Sequence, residues 1–288
     1  MGSTHLTMNR SLNSLTVSLL GILLVAGYAT AATVIDFSSA EGYTNGVLNN
    51  QPGTSGTWKT STGASYAEFQ VNTSDGGSVA LSTTANSKIA GYSEQVSFLS
   101  SGPVTMSMEF QFTQSSSTAA GATSAFGLGF STGQSTALRG TSAVYLGRSA
   151  GTDSYRMAAF SFASLLVTGA QIGLDSASSD TLSDVIRLTI TLNAVNSTTW
   201  SGTATLYNVT TGTQIITYTK NDISAGDLST SLYGGMLIGG SMATSGLSSV
   251  SVFNYTTTVP EPGTYVLLGL ALCAMTVYVR RRKVLISR

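Results

Sequence analysis

The chain has 288 residues and no net formal charge, with 42% hydrophobic residues, only 9% charged ones, one cysteine and one histidine. Cys273 and His5 both fall in the end segments, so the body between them carries neither residue. That body can hold no disulfide, no zinc site built on imidazole or thiolate, and no Ser-His-Asp, Cys-His or histidine-base chemistry.

The neutrality hides an asymmetry. Six of the 13 basic residues sit in the two ends, which leaves the body seven Lys/Arg against twelve Asp/Glu and no basic run. A mildly acidic body of this kind excludes nucleic acid as a partner.

At the N-terminus Arg10 opens a short positive region, and Leu12 to Ala29 is small or apolar without charge. Ala29-Thr30-Ala31 then supplies the small-x-small pattern that a signal peptidase reads, which makes residues 1–31 a signal peptide cleaved after Ala31. Met8 is an alternative start, since Met8-Asn9-Arg10 is the more usual opening of such a leader. An uncleaved N-terminal anchor is the competing account.

Residues 32–255 read as strand after strand. From Val104 to Phe112 apolar and polar residues alternate, so Met106, Met108, Phe110 and Phe112 share one buried face. Val185 to Leu192 repeats the habit. Further candidates are 34–37, 66–71, 79–81, 96–99, 125–130, 143–147, 155–162, 203–207, 214–218, 232–238 and 250–255, or about thirteen strands altogether. Asp75-Gly76-Gly77 and Asn208 to Gly212 supply turn residues at hairpin spacing, and one short helical turn is expected at Ala225 to Thr230. Asn72, Asn196, Asn208 and Asn254 each open an Asn-x-Ser/Thr sequence and read as surface turns. Many strands with one polar face predict antiparallel sheets packed face to face in a single domain.

The opening Ile35-Asp36-Phe37-Ser38, the Gly/Asn-rich run to Trp58, and the pair Ile186 to Leu192 and Trp200 to Tyr207 resemble the concanavalin A-like, or laminin G-like, jelly-roll sandwich. The resemblance implies a glycan- or protein-binding module more often than a catalyst. It also brings in calcium as the one possible cofactor, held in lectins by Asp and Asn. Asp175, Asp180 and Asp184 cluster around a Ser-rich loop, although their spacing matches no calcium-loop signature and a plain loop-and-turn role is the default reading. An exposed indole would make a sugar platform, which nominates Trp58; a tryptophan of a sandwich also fills cores, and Trp200 at a strand start reads that way.

An enzyme on this fold would need two carboxylates. Catalytic members of the class carry Glu-x-Asp-x-x-Glu on one strand, whereas here no two acidic residues stand two apart, and Gln111 occupies the place beside Glu109. A cross-strand pairing of Glu109 with Glu68 or Glu94 is the remaining enzymatic option. No catalytic residue and no metal ligand is therefore assigned, and the body is expected not to be an enzyme.

The tail is the most specific part. A linker at 256–263 carries Pro260-Glu261-Pro262, whose prolines bar regular structure and keep the glutamate on an extended segment that another protein can read. Thr264 to Val279 comes next without charge; its sixteen residues make a helix of about 24 Å, short of the ~30 Å hydrocarbon core unless Tyr265, Tyr278 and arginine stems fill the interfaces. Arg280, Arg281, Arg282 and Lys283 close it, which puts residues 280–288 in the cytoplasm and the body outside.

This order resembles the PEP-CTERM sorting signal of bacterial exosortase systems. The resemblance implies that a membrane-embedded exosortase processes the tail near Glu261 and that the body ends in the envelope or matrix, where such cargo is often associated with extracellular polysaccharide. A plain C-terminal anchor is the simpler competitor. The chain is thus expected to be all-β: a signal peptide, an antiparallel jelly-roll sandwich and a single C-terminal transmembrane helix. Its partners would be signal peptidase, exosortase, the membrane and exopolysaccharide, and its role non-enzymatic; the alternative is a secreted carbohydrate-active enzyme or calcium-dependent lectin.

Overall fold

The computed structural model describes residues 30–260 except 53–55, 62–67, 86–87, 97–102, 115–121, 132–142, 149–153, 162, 175–180, 197–198, 225–231, 241–242 and 244–245. The chain divides into two units, Ala32–Val259 and the two ends, Met1–Ala31 with Pro260–Arg288. The core and the described strands, apart from Thr30, Ala31 and Pro260 at the outer ends of the first and last strands, belong to the first unit. Residues 1–29 of the leader, Ala29 among them, lie outside the described residues, as do Glu261, Pro262, the apolar segment at 264–279, Arg280, Arg281 and Arg282 and the turn expected at Ala225 to Thr230; Ala31 is the second residue of the first strand. Among the described residues no helix is long and apolar enough to cross a membrane.

The described residues include seventeen strands and three short 3-10 turns. In chain order they begin with β1 (Thr30–Ile35), β2 (Gly46–Val47), β3 (Trp58–Thr60), β4 (Phe69–Asn72), β5 (Ser78–Leu81) and β6 (Lys88–Val96). The middle of the chain gives β7 (Val104–Gln114), β8 (Ala122–Ser131), β9 (Ala143–Arg148), β10 (Tyr155–Ala159), β11 (Ala163–Val167) and β12 (Thr181–Leu182). Last come β13 (Ile186–Ala194), β14 (Thr199–Asn208), β15 (Thr213–Ser224), β16 (Leu232–Ile238) and β17 (Leu247–Pro260).

Two sheets form from them. The larger runs β15-β14-β13-β7-β17-β5-β4-β2, with β1 beside β17 and β12 beside β7; the smaller runs β11-β10-β9-β8-β16-β6-β3. The expected antiparallel sandwich is what folds. Alternation is the cause: along β7 every second residue is buried from Val104 to Gln114, and β13 and β14 keep the same period.

Between the sheets lies one continuous core. Phe110 meets Phe126 edge to face at 4.9 Å, which ties β7 of one sheet to β8 of the other, and Phe112 meets Tyr155 at 5.4 Å. The expected hairpin at Asn208 to Gly212 joins β14 to β15, with Gly212 at φ +68°. The expected strand at 155–162 is instead a hairpin, β10 turning into β11 through Phe160 and Ser161 at φ +54° and +59°. No glycine marks that turn. Phe160 is held there because its side chain is wholly buried, so packing overrides the backbone preference.

The linker expected from residue 256 also differs. β17 continues to Pro260, with Thr256, Thr257 and Thr258 paired to Ser107, Met106 and Thr105 of β7 and Thr257 buried. Tyr255 and Thr257 alternate on the inner face, and a methyl-bearing threonine takes the place of an apolar residue, which is why the strand outlasts its hydrophobic pattern.

Candidate functional site

A row of polar side chains crosses the outer face of the larger sheet where β14, β13, β7 and β17 pass side by side. The register sets Arg187 opposite both Tyr207 and Glu109, and Glu109 opposite Asn254. Arg187 donates Nε–H to Glu109 Oε1 at 2.8 Å and completes an ion pair through Nη2. Asn254 donates Nδ2–H to the other carboxylate oxygen at 2.7 Å. The guanidinium also lies 5.9 Å from the Tyr207 ring centroid.

The Arg187 side chain is 43% exposed and that of Glu109 17%, so the row is open to a ligand. Both Glu109 oxygens are already accepting hydrogen bonds, which suits a fixed surface of oriented donors better than proton transfer. The carboxylates that the remaining enzymatic option would need as cross-strand partners are elsewhere: Glu68 precedes β4, three strands across the same sheet, and Glu94 is on β6 of the other sheet. In sequence Glu109 and Arg187 are only polar residues on their strands. Their meeting, across 78 residues, depends on the register.

Trp58 is not on the surface. It is wholly buried, donates its Nε1–H to Tyr43 Oη at 2.8 Å, and is ringed by Tyr92 at 5.0 Å, Tyr255 at 5.1 Å and Phe37 at 5.9 Å. Its indole therefore offers no face to a sugar, because β3 turns it inward and other aromatics already cover it. Burial, opposed by the bond from Trp58, pushes the Tyr43 phenol far above its ordinary value. Trp200 is buried as expected.

Asp184 is brought to a turn, not to a cation cage. Asn208 donates Nδ2–H to Asp184 Oδ2 at 2.7 Å and to the Gln171 carbonyl at 2.9 Å, while Asn208 Oδ1 accepts from the Thr211 N–H at 3.0 Å. The carboxylate lies over Gly173, at φ +74°, where any Cβ would strike it. These contacts lock the 3-10 turn Gly169–Ile172 against the β14–β15 hairpin. Asn208, expected at a surface turn, is buried because it ties these segments together; Asn254 is likewise within β17 and engaged with Glu109. Asp175 and Asp180 lie outside the described residues. Calcium takes six to eight oxygens, and among the described residues no three carboxylate, His or Cys groups gather to hold a metal.

Sequence reasoning also missed an internal polar group. Arg148 is wholly buried, 5.8 Å from the Tyr155 ring centroid, and Tyr155 donates its hydroxyl to Gln114 Oε1 at 2.6 Å. It lies between the sheets and presents nothing outward.

Against known proteins, residues 258–283 match the PEP-CTERM protein-sorting motif. The chain therefore carries that motif, which implies an exosortase-sorted extracellular protein. No curated protein matches the chain in sequence. Among solved structures it is similar to lectin I of Ulex europaeus, determined with the methyl glycoside of α-L-fucose, at a TM-score of 0.51 and 14% identity, covering 80% of this chain and 98% of the lectin. Arcelin-5, a lectin-like defence protein of Phaseolus vulgaris, aligns at a TM-score of 0.48 and 6% identity over 80% of this chain and 97% of that one. The fold is that of the legume lectins, a concanavalin A-like jelly roll.

Proposed function

We propose that this is an exported surface protein whose β-sandwich associates with extracellular glycan without cleaving it. The leader is removed after Ala31 by signal peptidase, the segment at 264–279 holds the chain in the membrane with 280–288 inside, and exosortase processes it near Glu261. The observation that carries this reading is the sorting motif in direct continuation of the last strand. β17 keeps residues up to Pro260 in strand conformation, which suits a processing point near Glu261, just past the last strand.

A glycan-facing, non-catalytic role is supported by the Glu109 row, where the carboxylate is bonded to Arg187 and Asn254 and neither Glu68 nor Glu94 stands beside it. The likeness to a fucoside-binding lectin fits but, at 14% identity, adds only the fold. Intact mass spectrometry of the protein from its native host tests the sorting: termini near Ala32 and Glu261 are expected, and a product still carrying Arg280 to Arg288 would leave only a plain anchor. A reducing-sugar assay on polysaccharides tests the rest, since sugar release would make it an enzyme.

A further inference from the structure

Two further rows on the same face consist of hydroxyl side chains alone. β13, β14 and β15 each place two threonines two residues apart: Thr189 and Thr191, Thr203 and Thr205, Thr217 and Thr219. The register aligns them, Thr217 opposite Thr205 opposite Thr189, and Thr219 opposite Thr203 opposite Thr191. On the far side Thr189 faces Ser107 and Thr191 faces Thr105 of β7, which in turn face Thr256 and Thr258 of β17. Five strands at a spacing of ~4.8 Å, with side chains repeating every ~6.7 Å along each, make a two-by-five lattice.

Threonine suits an exposed strand, which accounts for its presence. Propensity does not account for two aligned rows that no valine, lysine or glutamate interrupts. The hydroxyls are also pre-set: Thr105 bonds Thr191 at 2.9 Å, Thr203 bonds Thr219 at 3.1 Å and Thr205 bonds Thr217 at 3.3 Å, while β-branching restricts each χ1. All ten side chains are half-buried or exposed.

The chemistry of the occupant comes from charge and shape. Neither row contains a charged residue, and in the adjoining row Glu109 and Arg187 neutralise each other, so an anionic polymer finds no free cation there. Neighbouring strands rotate by about 20–25° in natural sheets, so five of them turn through most of a right angle and cannot lie flat against a rigid crystal face such as ice. A flexible chain can follow that twist. We infer that this face docks an extended, neutral polysaccharide laid across the strands along the threonine rows, its hydroxyls replacing water on those of the protein. This deepens the glycan-associated reading and rests on it.

The full chain, purified in detergent, is mixed with insoluble cellulose, mannan and cross-linked dextran, and with alginate gel as an acidic comparator, and depletion from solution is measured. The variant combines Thr189→Val, Thr191→Val, Thr203→Val and Thr205→Val, which keep shape and remove hydroxyls; a second carries Ser at the same four positions. Binding to at least one neutral polymer is expected, weakened about tenfold or more by the Val set and restored towards the parent by the Ser set, with circular-dichroism melting showing both folded. Equal binding by parent and Val variant overturns this face and leaves the glycan reading standing. Parent binding to none of the neutral polymers defeats both. Preference for alginate, or ice shaping without polymer binding, overturns the assigned occupant.

Discussion

Across the larger sheet the outer rows are hydroxyls and one ion pair, whereas the smaller sheet turns away from the main core a row of Gly91, Gly235, Gly129 and Ala143 beside a row of Ile89, Leu237, Gly127 and Tyr145. Ile89, Leu237 and Ala143 are buried in a cluster of their own with Tyr145 against it, separate from the main core. The first face is ordered by side chains bonding across strands. The second is ordered by leaving side chains out: a Cβ on Gly127 would fall on the Val144 carbonyl oxygen, and one on Gly235 on that of Ala90. Strand alternation is common to both, so the difference shows that it decides which residues face outward and says nothing of what that face is for.

The contrast makes the two faces unequal under mutation. Gly127→Val forces the neighbouring backbone of β9 aside and should lower stability by about 3 kcal/mol, read as a fall in the midpoint of denaturant unfolding. A change below about 0.5 kcal/mol would mean that the close approach is not structural. On the opposite face Glu109→Ala removes an acceptor from Arg187 and Asn254, but the pair is water-accessible, so about 1 kcal/mol is expected. A double-mutant cycle with Arg187→Ala that gives no coupling would show the row to be independent neighbours.

Tyr145 separates the faces by pH. Burial raises its phenol above the ordinary value, so the folded-state pKa exceeds the unfolded one. Below about pH 10 both states hold the proton and stability does not depend on this group's titration; above it the unfolded state ionises first, so stability falls as pH climbs towards the folded-state pKa. Tyr145→Phe should remove part of the alkaline loss in thermal midpoint, and an unchanged alkaline profile would contradict the burial. The smallest effect belongs to Thr205→Val alone, within about 0.5 kcal/mol, since an exposed hydroxyl loses little that water does not replace.

Much of the fold is legible in the sequence, for identifiable reasons. Alternation alone puts Met106, Met108, Phe110 and Phe112 on a buried face, and all four are buried. The turn residues of Asn208 to Gly212 mark the hairpin that forms there. The misses have equally local causes. Phe160 turns the chain against its own preference, Thr256 to Thr258 extends a strand without apolar residues, and Trp58 gives no sign of which way β3 faces. The Glu109 row is out of reach because Arg187 and Asn254 are 78 and 145 residues away from it in sequence.

The sequence by itself determined the alternation that makes strands, the turns that punctuate them, the absence of cysteine and histidine chemistry in the body, and the sorting motif, because each is written in residues within one or two turns of chain. Only the tertiary structure decided that β7 lies between β13 and β17, and hence that Glu109 meets Arg187 and that ten hydroxyls fall into two rows. The reason is physical. One strand edge offers the same N–H and C=O groups as any other, so partners are chosen by how all the inner faces pack together, a property of the whole chain and of no segment in it.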